Sequence, residues 1–245
     1  MIVRGLGIAG VAAVGIVISG HFPRLLVDLD LFRAREVQLE GLVRLERGRV
    51  LRTAGIDHTT NIWEDLEIFE DRLEAHPLVR SVRVTRAIPG RLIVEIEERE
   101  PVGLVPTPTL EPVDREGRYL PLDPARWQLD LPLLRPRSIP LDGETRPAPA
   151  RLRTLAHLAD AMRSEGVFWS RVSEIREEGG GVVVAEWGAP GVTFLFGDTT
   201  DLRRLRDGMR ALGHAIERAS DRGGEPPRVV DLRWADQVVV RDHTS

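Results

Sequence analysis

Hydrophobic and polar positions divide the chain into one uniformly apolar segment followed by two regions with shorter periodicities. From Gly5 to Pro23 there is no Asp, Glu, Lys or Arg, so a helix here would be apolar on every face. Nineteen residues at about 1.5 Å rise each span roughly 28 Å, close to the thickness of a bilayer's hydrocarbon core. This pattern predicts a transmembrane helix within residues 1–24, with lipid around residues 5–23.

Two other interpretations of this segment remain open. A secretory signal peptide has a similar apolar core, although residues 17–19 offer no clear small-x-small cleavage site. Gly5, Gly7 and Gly10 spell G-x-G-x-x-G, which is typical of dinucleotide binding. That fingerprint needs a buried strand before it and an amphipathic helix after it, and neither is indicated here. The charges that flank the segment do not fix its orientation.

The next region, residues 32–101, predicts strand, helix, helix, strand, strand. Val37–Glu40 alternates apolar and polar residues and stops at Gly41, as a half-buried strand would. A helix is expected from Leu45 to Ala54, ended by Gly55 in the left-handed C′ position. A second helix is expected from Asn61, with Glu64 completing a capping box. Its apolar stripe consists of Leu66, Phe69 and Leu73.

Two alternating runs then flank Ile88-Pro89-Gly90 and predict a hairpin with one buried face. The inward residues are Val82, Val84, Leu92, Val94 and Ile96. Glu95, Glu97, Glu98 and Glu100 could be taken for catalytic carboxylates. Because alternate strand residues share a face, Glu95 and Glu97 are instead expected in solvent beside arginines of the neighbouring strand.

Residues 102–241 are rich in proline at first, so long regular elements are excluded before about residue 150. A short hairpin is expected from Leu110–Asp114 and Tyr119–Leu122. An amphipathic helix with Leu152, Leu155, Leu158 and Met162 follows. Strands are then expected at Val172–Arg176, Val182–Trp187 and Val192–Phe196. A helix from Asp201 to about Ile216 follows, and the final strands are expected in Arg228–Trp234 and Gln237–Val240. The arginines of the last helix, Arg203, Arg204, Arg206 and Arg210, are expected to form a solvated face.

Composition argues against several classes of function. With 34 basic and 38 acidic residues the net charge is −4, without the positive surplus of a nucleic-acid binder. There is no cysteine, and the six histidines show no metal-ligand spacing. No catalytic motif stands out, so we expect no enzymatic activity, no cofactor, no metal and no small-molecule substrate.

Several motifs resemble the FtsQ/DivIB family of bacterial cell-division proteins. Residues 76–84 (HPLVRSVRV), the run Arg86-Ala87-Ile88-Pro89 and residues 97–102 (EEREPV) resemble the hairpin and exit of the family's POTRA domain. Gly103 stands where the family usually has Ala. Near the C-terminus, Asp231-Leu232-Arg233-Trp234 resembles the family's "v-D-L-R-Y" strand. The resemblance extends from about residue 5 to 240.

The resemblance implies an α+β protein in four segments: a membrane-anchoring start (1–24), a POTRA domain (32–101), a mixed "β-domain" ending in paired strands (102–241), and a tail (242–245). It also implies a cytoplasmic N-terminus, an extracytoplasmic bulk, and strand addition of FtsB-like and FtsL-like partners at the C-terminal edge. The partner-binding residues expected there are Asp231, Arg233, Trp234, Gln237, Val238, Val239 and Val240. An envelope transport or chaperone component built on POTRA strand addition is an alternative, and a dinucleotide-binding enzyme is a more distant one.

Overall fold

The computed structural model describes residues 32–137, 149–178, 183–188, 191–197 and 202–242. They form two compact units, which divide between Arg99 and Glu100. The predicted transmembrane segment and the Gly5/Gly7/Gly10 fingerprint lie outside the described residues. Within the described ranges, no helix combines the length and apolar character needed to cross a bilayer.

The first unit has the predicted order of elements. It comprises β1 (Glu36–Glu40), α1 (Arg47–Ala54), α2 (Leu66–Glu74), β2 (Val79–Ala87) and β3 (Arg91–Glu98). The strand order in its sheet is β1-β3-β2. The hairpin of β2 and β3 is confirmed, and β1 lies parallel to β3. Parallel neighbours need a long connection, and both helices lie between them in the chain.

Local hydrogen bonding sets the ends of the two helices. α1 ends where Gly55 adopts φ +74°, as predicted. α2 begins after Asp65, whose side chain accepts the N–H of Glu67. The predicted start at Asn61 is wrong, because Asn61 and Glu64 form a separate turn. In that turn the Asn61 N–H donates to the Glu64 carboxylate at 2.7 Å, and the Glu64 N–H donates to the Asn61 carbonyl at 3.0 Å.

One face of this sheet is buried with the helices and the other is exposed. The buried side chains are Val50, Ala54, Phe69, Leu73, Val84, Leu92, Val94 and Ile96. On the exposed face Glu95 lies opposite Arg83, and Glu97 is 3.3 Å from the guanidinium of Arg80. The expectation that these two glutamates lie in solvent beside arginines of the neighbouring strand is therefore confirmed.

Glu98 differs from the other glutamates of this stretch because it is only 7% exposed. Its carboxylate accepts the backbone N–H groups of Val43, Arg44 and Leu45 at 2.8–3.0 Å. These donors lie in the loop between β1 and α1, just after Gly41, whose φ is +78°. Glu98 thus satisfies three amides of a loop that has no strand or helix partner.

The second unit is built on one eight-stranded mixed sheet. Its strands are β4 (Pro101–Pro106), β5 (Leu110–Asp114), β6 (Leu133–Arg135), β7 (Val172–Glu177), β8 (Val183–Trp187), β9 (Val192–Phe196), β10 (Val229–Asp231) and β11 (Val239–Arg241). Their order across the sheet is β11-β10-β9-β8-β7-β6-β4-β5. The three strands β7, β8 and β9 agree with the predicted ones and are joined antiparallel.

Helices pack their apolar stripes onto this sheet. α3 (Pro149–Met162) buries the predicted Leu152, Leu155, Leu158 and Met162, and it lies against β4, β6 and β7. A short α4 (Gly166–Trp169) follows. α5 (Leu202–Asp221) is longer than predicted, buries Leu205 and Leu212, and lies against β10 and β11. Burying each such leucine contributes about 2 kcal/mol.

The proline-rich part of the chain contains two strands that the sequence did not predict, β4 and β6. β5 was expected to pair with residues 119–122, but its main partner is β4. Residues 119–122 contribute a single bridge, from Tyr119 to Val113. Pro101 and Pro106 stand at the two ends of β4, where a missing N–H costs least, so proline did not prevent pairing here.

Candidate partner-docking site

The C-terminal strands form one edge of the eight-stranded sheet. β10 pairs parallel with β9 and antiparallel with β11, which ends the sheet. The register places Val230 opposite Val240 and Asp231 opposite Val239. The paired C-terminal strands expected from the sequence are thus present. An edge strand leaves main-chain N–H and C=O groups without a strand partner along its outer side.

Asp231 is buried at this edge between two arginines. It is 2% exposed. Its carboxylate accepts hydrogen bonds from Nε and Nη2 of Arg233, at 2.9 and 2.6 Å, and from Nη2 of Arg241, at 3.0 Å. The hydrogen bond from Arg233 is the main cause that holds the pKa of Asp231 below its usual range, and burial acts in the opposite direction. This cluster joins β10, the loop after it and β11.

The loop between β10 and β11, residues 232–238, is held by a side chain of α5. The guanidinium of Arg204 donates from Nε to the carbonyl of Leu232 at 3.2 Å and from Nη2 to that of Gln237 at 2.7 Å. Its Nη1 donates to the carbonyl of Ala235. The expectation that Arg204 belongs to a solvated face is therefore wrong.

The remaining predicted docking residues differ in their exposure to solvent. Trp234 lies on this loop with 53% of its surface exposed, and Gln237 is exposed as well. Val238 packs against the unit's hydrophobic core. Val239 and Val240 are half-buried in β11. The structure thus brings the seven predicted residues into one strand-loop-strand segment, with Asp231 and Val238 facing inward.

Two residues of this site were missed at the level of sequence. Arg241 lies one residue beyond the predicted end of the last strand, yet two-residue periodicity puts it on the same face as Val239, which lies opposite Asp231. That alternation was a usable signal for the Asp231–Arg241 pair. Arg204 had no such signal, because contacts from a helix to the carbonyls of a distant loop leave no pattern in sequence.

Other kinds of site find little support in the described ranges. There, no three His, Asp or Glu side chains are grouped in a way that could hold a metal ion. Two arginines of α5 bind other groups of the protein: besides Arg204, the exposed Arg206 makes a bidentate ion pair with Glu165 with a shortest distance of 2.6 Å.

Comparison with known proteins identifies the class of the first unit. Residues 32–99 match the family model described as "POTRA domain, FtsQ-type". The protein is therefore one with an FtsQ-type POTRA domain as its first unit, followed by a second unit built on a mixed sheet.

Curated relatives extend the match beyond that domain. The chain is 32% identical over 190 residues to the cell division protein FtsQ of Myxococcus fulvus, covering 74% of this chain and 66% of the relative. It is 29% identical to that of Syntrophotalea carbinolica, over 52% of this chain and 46% of the relative. For Rhodothermus marinus FtsQ the identity is 28%, over 87% of this chain and 79% of the relative. The chain belongs to the FtsQ/DivIB family, and it spans less than two thirds of the length of the first two relatives.

Proposed function

We propose that this protein is a non-enzymatic scaffold of the bacterial cell-division machinery. It is held in the cytoplasmic membrane by residues 5–23, with the N-terminus in the cytoplasm and both folded units outside. FtsB-like and FtsL-like single-pass partners dock on the C-terminal edge of the second unit. Family membership and the relatives' names support the division role.

The terminal position of β11 is the observation that carries the docking proposal. A partner segment in extended conformation can add to β11 and obtain its affinity from main-chain hydrogen bonds. Trp234 stands exposed on the loop that leads into β11, where a large aromatic side chain can anchor the added segment. Asp231, Arg233 and Arg241 hold the edge in place through their ion pairs.

On the other sheet edges, backbone N–H and C=O groups already form hydrogen bonds with side chains or with a following segment of the chain. On β1 the guanidinium of Arg47 donates to the carbonyl of Val37, and on β2 the carboxylate of Glu70 accepts the N–H of Val84 at 2.6 Å. Beside β5 the N–H of Leu120 donates to the carbonyl of Pro112. Blocking groups of this kind oppose strand addition. They favour β11 over the POTRA edges, and so favour division docking over a transport or chaperone role based on POTRA strand addition.

A titration of the extracytoplasmic segment of an FtsB-like protein tests the docking site. Trp234→Ala is expected to weaken binding about thirtyfold, since a hot-spot aromatic contributes about 2 kcal/mol. Trp127→Ala is the matched control, because Trp127 is 37% exposed in the same unit but outside the site. Equal affinities for the wild type and Trp234→Ala would reject the proposed docking site.

Arg233 is a poor probe of the same site. Reversing its charge would place a carboxylate beside buried Asp231, so weaker binding could not be separated from a disturbed strand pair.

Depletion in the native organism tests the cellular role directly. Filamentous cells are the expected result, and normal septation would contradict the division proposal.

A further inference from the structure

We propose that Arg204 is a positioning residue for the docking edge. It shapes the 232–238 loop in the free protein, so that Trp234 and β11 already have the geometry a partner needs. This inference rests on the proposed docking function. Nothing in the sequence or the family match assigned a role to Arg204.

The contacts of Arg204 suit this role because they are spread along the loop. Its acceptors are the carbonyls of Leu232, Ala235 and Gln237, at the beginning, middle and end of the connection. Trp234 lies between the first two. Guanidinium is a planar fork with several fixed donors, so one side chain can fix three carbonyls at once. These carbonyls bind no strand partner, since the loop lies between β10 and β11.

Gly208 provides a second contact on the same face of α5, one turn after Arg204. A Cβ at Gly208 would lie 2.9 Å from a side-chain carbon of Leu232 and 3.1 Å from one of Val230. The helix therefore approaches β10 so closely that a methyl group would displace its neighbours. This close approach places the guanidinium of Arg204 within reach of the loop.

Preorganisation explains why such a contact would matter for binding. A partner that docks on a mobile loop must order that loop, and each side chain that becomes immobilised lowers the affinity. Arg204 removes this cost before the partner arrives. Removing Arg204 is therefore expected to weaken binding although the side chain does not touch the partner.

The test uses the full chain in nanodiscs, the FtsB-like segment as probe, and a temperature well below the melting midpoint. Arg204→Ala is expected to weaken binding about tenfold and to increase hydrogen exchange at residues 232–238 of the free protein. Arg204→Lys should recover little, because an ammonium group keeps the charge but cannot span three carbonyls. Arg206→Ala is the matched control, since Arg206 lies on the same helix and pairs with Glu165 instead.

A double-mutant cycle separates positioning from a general loss of stability. If Arg204 acts through the loop, Trp234→Ala will cost less in the Arg204→Ala background than in the wild type. Wild-type affinity in Arg204→Ala, wild-type affinity in Arg204→Lys, or an equal loss in Arg206→Ala would each overturn the inference. If Trp234→Ala alone does not change the affinity, the proposed docking site is wrong instead. In that case, unchanged hydrogen exchange at residues 232–238 in the free Arg204→Ala protein would reject the positioning role without reference to binding.

Discussion

Single buried carboxylates hold neighbouring segments of this protein together. Glu98 does so for the loop after β1, and Asp231 for the C-terminal strand pair. Glu98 lies in a run of charged residues and Asp231 stands between Val230 and Leu232, and in neither place does the sequence alone indicate a buried, hydrogen-bonded carboxylate. The difference arises only when the fold buries them, since a buried carboxylate must be satisfied by donors.

Glu98→Ala is expected to lower the free energy of unfolding of the first unit by about 3 kcal/mol, because three N–H groups of the loop after β1 lose their acceptor. Hydrogen exchange at Val43, Arg44 and Leu45 should rise with it. Glu97→Ala, at the preceding residue of β3, is the control, because the exposed ion pair there contributes less than about 1 kcal/mol. Similar losses in the two variants would contradict the assigned role. Calorimetry and exchange together measure both effects.

Asp231→Asn tests the buried cluster through its pH dependence. The native pKa of Asp231 is lowered by Arg233, so the stability this carboxylate contributes is fully present above its unfolded pKa of about 3.9 and is lost as pH falls through the native pKa. The variant should be less stable than the wild type by about 3 kcal/mol at pH 7. The difference should stay constant down to about pH 5 and shrink below about pH 4.

Urea unfolding followed by tryptophan fluorescence reports on this effect, because four of the five tryptophans, Trp127, Trp169, Trp187 and Trp234, lie in the second unit. Asp236→Asn is the control, an exposed aspartate in the same loop. A stability difference that persists unchanged at pH 3 would show that the ionised carboxylate is not what stabilises the strand pair.

At the scale of elements, hydrophobic periodicity predicted the helices and most strands because it records burial of one face. The hairpin of β2 and β3 and the stripe of α3 are examples. Periodicity could not predict β4 or β6, which are short and lie among prolines. It also could not give the parallel pairing of β1 with β3 or the order of the eight strands, since these depend on contacts between distant segments.

Gly103 lies where β4 passes very close to β6. A Cβ at this position would lie 2.5 Å from Cγ of Leu134 on β6, a fully buried side chain. Gly103→Ala is therefore expected to destabilise the second unit by about 1–3 kcal/mol. Leu134→Ala alone should cost about 3 kcal/mol by leaving a cavity.

Combining the two changes should cost less than their sum, because the new methyl group fills part of the space that Leu134 vacates. Urea denaturation of the four proteins in this cycle measures the coupling. Additive losses would show that Gly103 and Leu134 do not share one packing site. A stabilising effect of Gly103→Ala would contradict the close approach of β4 and β6.

For the whole molecule, the proposal that residues 5–23 anchor the protein in a membrane leads to a direct test. Val14→Arg places a charge in the middle of the uncharged segment 5–23, at a cost of about 3 kcal/mol. It is expected to reduce the fraction of the protein that resists carbonate extraction from membranes. Val43→Arg is the control, since Val43 is 69% exposed in the first unit. A retained anchor also requires the membrane-bound protein to keep the full mass of its sequence, whereas a signal peptide would be missing.

Orientation can be read from the same system because the chain contains no cysteine. A single cysteine at position 43 or 127 would be the only thiol, and both sites lie in the proposed extracytoplasmic units. In whole cells with a permeabilised outer membrane, a membrane-impermeant maleimide should label both, and a cysteine placed before Gly5 should react only after lysis. The opposite labelling pattern would put the docking edge in the cytoplasm, where it could not meet the extracytoplasmic segments of single-pass division partners.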